Sequence, residues 1–391
     1  MYHLEQVKEL YRENPWNKPY SERIGKLKTA KKYGKKTVAY LYPQFDSSTF
    51  RYRGFNMAET LDYSFRWSGA CFQLADLEQL KENLEYINVL VMIRCPWDLK
   101  IDKFMKYAKQ KNIYLCYDID DLVYGPQHMP SIIEALSLEW ESEWNFWFGL
   151  TQRNYMIAEM CDVLITTNGF LAERLKEDFD KPCYIIKNYL NWMQERVSSE
   201  YFEAKQNLSQ EHPFEIGYFS GSPTHVKDFS MIMPEIEEFL TRHADTMLKI
   251  VGYMELPPQY KALVEQDRIR FLPFQSFTNL QYEQAKVDIN VVPLINNIFS
   301  NCKSELKYFE SAIVGTITCA TPCYTYVRAI QNGENGYLCN VGEWLGTFEK
   351  LYQEKEQKER QRRIREKALQ EYAEQNQLKT VEDTLNHIME L

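Results

Sequence analysis

Short apolar runs recur along this 391-residue chain, each followed by a stretch with helical spacing, and that alternation narrows the possible folds more than any other feature. Residues 37–42, 86–93, 113–117 and 161–168 form one series, and residues 214–219, 248–253, 270–274, 287–294 and 316–320 a second. Runs that are apolar throughout fit strands covered on both faces, and such strands, joined by helices, pair in parallel through right-handed crossovers. The expected class is therefore α/β. The length exceeds one ordinary core, and the pattern restarts at Phe214 after a polar stretch, 198–213, that reads as a linker.

Composition removes several function classes. A net charge of -9 argues against a nucleic-acid binder, because affinity for a phosphate backbone needs concentrated positive charge. The nine cysteines are scattered without a Cys-x-x-Cys pair, so neither a disulfide framework nor a zinc site is expected. The longest apolar run, 86–93, is far short of the roughly 20 residues a membrane helix needs, and the N-terminus lacks a signal-peptide pattern. These readings predict a cytoplasmic protein.

The chemistry concentrates in residues 300–315. Ser304 is the expected N-cap of a helix that buries Leu306, Phe309 and Ile313 and ends at Gly315. Lys303, Lys307 and Glu310 fall on one face of it. A helix N-terminus flanked by two lysines suits a diphosphate, and a carboxylate one turn on suits the hydroxyls of a ribose. The competing reading is an ordinary solvated Lys/Glu face.

The run Lys303-Ser304-Glu305-Leu306-Lys307-Tyr308-Phe309-Glu310, followed by Gly315-Thr316, Thr321-Pro322, Tyr326 and Asn332-Gly333-Glu334-Asn335-Gly336, resembles the donor-site signature of GT-B glycosyltransferases similar to glycosyltransferase family 4. The resemblance implies two Rossmann-like domains facing each other across a cleft. It also implies a nucleotide-sugar donor as co-substrate, no metal or other cofactor, and Glu310 as the ribose ligand. The family carries a second glutamate eight residues earlier, on the donor sugar, where this chain has Cys302. The implied domains are an N-terminal extension at 1–36, an acceptor-side domain at 37–197, the linker at 198–213, a donor domain at 214–345, and helices at 346–391 returning to the first domain.

Further candidates follow from position. The turn after the 214–219 run supplies Gly221, Ser222, His225 and Lys227; Gly221 and Ser222 would let backbone meet a phosphate, and Lys227 would match a family lysine on the diphosphate. His225 is a candidate catalytic or donor-sugar contact, against a histidine merely bonded to backbone. Asp118, Asp120 and Asp121 end a strand, where three carboxylates call for a ligand, a cation or capped backbone. Asp120 and Asp121 are the candidate general base or sugar-hydroxyl ligands, ranked above a metal-binding Asp-x-Asp reading. Arg51, Arg53 and Arg94 sit in loops on the acceptor side.

Other stretches carry less. The basic cluster Lys18, Arg23, Lys26, Lys28, Lys31, Lys32, Lys35 and Lys36 suits peripheral contact with the inner face of the cell membrane, or else is a solvated arm. The aromatic stretch 134–148 reads as core in preference to a sugar-stacking groove. The function this predicts is transfer of a sugar from a nucleotide-diphosphate donor to a glycan or lipid-linked acceptor in bacterial surface polysaccharide assembly. An epimerase of the same fold and a catalytically silent partner of another glycosyltransferase remain the alternatives.

Overall fold

The computed structural model describes residues 14–136, 138–207, 213–221, 226–354 and 358–391. The first half builds one sheet from β1 (Lys36–Tyr42), β2 (Trp67–Gln73), β3 (Val89–Ile93), β4 (Tyr114–Asp118), β5 (Val163–Thr166) and β6 (Cys183–Ile185). The second builds another from β7 (Phe214–Ser220), β8 (Thr246–Gly252), β9 (Ile269–Leu272), β10 (Ile289–Val292), β11 (Ile317–Ala320) and β12 (Gly336–Leu338). The strand orders are β2-β1-β3-β4-β5-β6 and β12-β11-β10-β7-β8-β9, and every pairing is parallel. The order reverses between β1 and β3 in the first sheet and between β7 and β10 in the second. In open α/β sheets a ligand crevice lies beyond the strand ends at such a reversal.

Nine of the twelve strands among the described residues fall on the apolar runs read from the sequence; β2, β6 and β12 lie outside them. In β2 the run Ser68-Gly69-Ala70 has little β character, yet all of it is buried. Gly69 packs closely there: a Cβ would come within 3.1 Å of the Ala58 Cα. After β1 the chain forms a π turn, Arg51–Phe55, then short helical turns at Asn56–Thr60 and Leu61–Tyr63.

Three more expectations need correction. Helix Tyr20–Lys32 is no loose arm: Ile24, Leu27 and Ala30 pack into the first domain, and Arg23 forms a buried ion pair with Asp76 at 2.7 Å. Of the expected linker, residues 198–206 continue helix Trp192–Gln206, where buried Lys205 donates to the Val287 carbonyl and the Thr316 hydroxyl. The aromatic stretch is not core, since Trp140 and Phe146 are 68% and 61% exposed. At the other end, helix Glu374–Ile388 lies on the first domain, with Asn386 accepting from the Trp67 indole at 3.0 Å. Among the described residues no helix is long and apolar enough to cross a membrane.

Candidate active site

The C-terminal strand ends of the two sheets face one another across a cavity of about 510 Å³. The first domain contributes Ser47, Ser48 and Thr49 after β1, Arg51 and Tyr52 of the π turn, Arg94 after β3, and Asp120 and Asp121 after β4. The second contributes Gly221 after β7, Gly252 at the end of β8, Phe274 in the loop after β9, Phe277 at the start of helix Phe277–Lys286, and Lys303, Lys307 and Glu310. A larger hollow of about 590 Å³ lies between helix Tyr20–Lys32 and β2, lined by none of the predicted site residues.

Glycine at 252 is dictated by this geometry. Its φ is +97°, and a Cβ would sit 2.1 Å from the Ser220 carbonyl oxygen where β7 and β8 converge on the cavity.

The predicted donor helix is shorter than expected and starts later. It spans Leu306–Ala312 with Glu305 at the N-cap position. Ser304 does not cap it; its hydroxyl accepts from the Asn188 amide at 2.9 Å and does not line the cavity. Seven residues make a weak dipole, so the positive charge of this corner resides in the lysines. Lys303 lies 3.5 Å from Asp121. Lys307 has no carboxylate within ion-pair distance among the described residues. Burial pushes its ammonium down to about 8, with Lys303 adding to the effect. Asp228 and Glu310 offset part of this effect from beyond ion-pair distance, and an anion bound in the cavity would favour the charged form further.

Glu310 is buried and held from the other domain. Its Oε1 accepts from Arg51 Nη2 at 3.2 Å and from the Tyr52 hydroxyl. Arg51 also donates through Nε to the Ser47 carbonyl at 2.8 Å, while its buried Nη1 has no partner. The π turn that carries both residues is closed by the Asn56 N–H donating to the Arg51 carbonyl, and such turns are concentrated at functional sites.

The three aspartates part company. Asp118 is buried and takes a two-pronged contact from Arg53 at 2.8 and 2.7 Å. Arg53 is fully buried and also donates to the Ile186 carbonyl, so its expected acceptor-side place is corrected to a structural one. Asp120 and Asp121 do line the cavity, facing Arg94 at 2.5 and 3.5 Å. Although burial opposes its charge, these two carboxylates hold the Arg94 guanidinium above its usual value. Arg94 has φ 43°, a strained conformation for a non-glycine residue, which aims it at both acids. Among the described residues no three His, Cys, Asp or Glu side chains are grouped to hold a metal ion.

Of the remaining candidates, Gly221 lines the cavity, whereas Lys227 is exposed and does not. Ser222 and His225 lie outside the described residues. Cys302 is wholly buried among first-domain apolar groups, which pushes its thiol up, and its carbonyl accepts from Asn168. It offers the cavity no counterpart to a glutamate. Sequence reasoning missed Tyr52 and set Trp147 aside as core; Trp147 lines the cavity with Leu136 and Val123 and touches exposed Phe146 edge-on at 5.8 Å.

Comparison with known proteins fits this geometry. Residues 214–354 match the family model described as Glycosyl transferases group 1. HepE from Anabaena, solved with UDP and glucose, is 12% identical with a TM-score of 0.57, over 90% of this chain and 100% of that one. Sucrose-phosphate synthase from Thermosynechococcus elongatus is 12% identical with a TM-score of 0.62, over 91% and 100%. A glycosyltransferase from Rickettsia africae is 12% identical with a TM-score of 0.61, over 91% and 99%. Identities this low show the fold, which is GT-B. A curated relative, phosphoenolpyruvate carboxylase from Prochlorococcus marinus, is 40% identical over 115 residues, 29% of this chain and 11% of that protein. The chain thus spans about a tenth of that relative's length, and no carboxylase reading follows.

Proposed function

We propose that this GT-B chain is a glycosyltransferase that binds a nucleotide-diphosphate sugar in the interdomain cavity and transfers the sugar to a glycan or lipid-linked acceptor. The observation that carries the reading is Lys307, half-buried on the cavity wall with no carboxylate within ion-pair distance among the described residues, one turn from the Glu310 carboxylate. In this reading Glu310 accepts from the ribose, and Lys303 and Lys307 meet the diphosphate. The backbone at Gly221 and Gly252 lets the nucleotide approach the ends of β7 and β8. The likeness of fold to HepE, solved with UDP and glucose, supports a nucleotide at this place.

During transfer the bond between the anomeric carbon and the β-phosphate oxygen breaks, and one from that carbon to an acceptor hydroxyl oxygen forms. Negative charge grows on the departing diphosphate, where two lysines in a water-poor cleft stabilise it without a metal ion. Asp120 and Asp121, across the cavity with Arg94, are placed to take the acceptor proton or to bind sugar hydroxyls. Retention at the anomeric carbon is the outcome the resemblance favours. Acceptors of bacterial surface polysaccharide assembly, met at the membrane's inner face through Lys28, Lys31 and Lys32, complete the proposal.

Thermal shift with UDP, GDP and dTDP and their sugars tests it, because a ligand bound only by the native state raises Tm. No shift with any of them would refute the reading. One observation favours a second: with Cys302 in the core, a chain that binds nucleotide without turnover fits a silent partner. Binding without transfer or donor hydrolysis would identify that case.

A further inference from the structure

Glu310 belongs to the second domain, yet both hydrogen bonds to its carboxylate come from the first. Both fall on Oε1; among the described residues Oε2 takes none. The Tyr52 ring is 3% exposed and edge-on to Phe309, so its hydroxyl is fixed in place. The Arg51 guanidinium lies over the rings of Tyr52 and of Phe277, the latter from the second domain, at 4.1 and 4.8 Å. Arg51 is 3% exposed and its Nη1 has no partner. A buried guanidinium nitrogen with nothing to donate to costs free energy.

We propose that Tyr52 is a positioning residue for nucleotide recognition: with Arg51 it fixes Glu310 Oε1 from across the cleft, leaving Oε2 to accept from a ribose hydroxyl. This rests on the reading of Glu310 as the ribose ligand. It makes affinity for the nucleoside part depend on the two domains being together, whereas the diphosphate contacts lie within the second domain alone.

The test is a double-mutant cycle on the full-length chain, read as Kd by calorimetry for whichever of UDP, GDP and dTDP the wild type binds tightest. Tyr52→Phe removes only the hydroxyl and should weaken binding roughly tenfold, the size expected for a hydrogen bond to a charged group. In a Glu310→Ala background the same change should do nothing further. Arg51→Lys, which keeps the charge and loses the fork, should show the same pattern. Inorganic pyrophosphate, which has no ribose, should bind all variants equally. Unchanged or tighter binding by Tyr52→Phe, or an equal loss in the Glu310→Ala background, would overturn the proposal. A wild type that binds no nucleotide, or a Glu310→Ala variant that binds as tightly as wild type, would instead refute the underlying site reading.

Discussion

Tyr52 and Glu310, 258 residues apart in the chain, share a hydrogen bond that ties the π turn after β1 to the donor helix of the other domain. It sets the two walls of the cavity against each other at the point where Arg51 and Lys307 also meet it.

Lys307 gives the first prediction. Its ammonium titrates near 8 in the free protein because burial and Lys303 disfavour the charge. A bound diphosphate favours the charged form, so binding takes up a proton at pH values above that midpoint. Nucleotide affinity should hold between pH 6 and 7.5 and fall by up to about tenfold per pH unit above 8. Lys307→Met should remove that dependence and weaken binding at pH 7 by about 100-fold. Titration calorimetry in two buffers of different ionisation enthalpy reads the proton uptake directly.

Arg53 should behave in the opposite way. Burial raises the Asp118 carboxyl above its usual value even with Arg53 beside it, so removing the guanidinium strands a buried acid. Arg53→Ala should cost about 3–5 kcal/mol of stability, while any folded protein retains nucleotide affinity within about twofold. Asp118→Asn in the Arg53→Ala background should restore part of the loss. Urea denaturation and binding, measured on the same samples, separate the two effects.

How these two arginines diverge shows what the sequence could and could not reveal. Lys303, Lys307 and Glu310 were found because they share one stretch of chain, where spacing fixes which side chains lie together. Arg51 and Arg53 are two residues apart in one loop, and nothing local separates them. Their fates are decided by partners at 310 and 118. Tyr52 was missed for the same reason. Lys227 and Ser304 were over-read: both fit a family position, but Lys227 faces solvent and Ser304 is taken by Asn188. The two-sheet architecture was visible because parallel strands covered on both faces are apolar throughout, and β2 escaped notice because small residues, Ser68 to Cys71, interrupt the run between Trp67 and Phe72.

Trp147 separates donor from acceptor. It lines the cavity from the first domain, as do Val123 and Leu136. Trp147→Ala should leave nucleotide Kd and slow donor hydrolysis within about twofold, and lower transfer to a glycan acceptor at least tenfold through lost stacking. Equal loss of hydrolysis and transfer would place Trp147 in the donor site instead.

The last prediction concerns stability against pH. Glu59, Glu195 and Glu374 gather around Trp192, whose indole donates to Glu59 at 3.1 Å and whose backbone N–H donates to Glu374 at 3.0 Å. One oxygen of Glu59 and one of Glu374 are buried without a partner. Burial, and for Glu374 the nearby Glu59, push the two carboxyls up to about 7 and about 8 from an ordinary 4.5. Between these limits the folded state holds protons that the unfolded chain has released, so the free energy of unfolding falls as pH rises from about 4.5 to 8 and levels off above. Glu374→Gln keeps an acceptor for the Trp192 N–H and removes the charge. It should stabilise the protein by about 1 kcal/mol at pH 8, have little effect at pH 4.5, and flatten the slope between. Because helix Glu374–Ile388 is the element lying back on the first domain, wild-type protein should also show faster amide exchange in this helix at pH 8 than at pH 6, after correction for intrinsic rates. Equal corrected protection at the two pH values would show that these acids do not hold it.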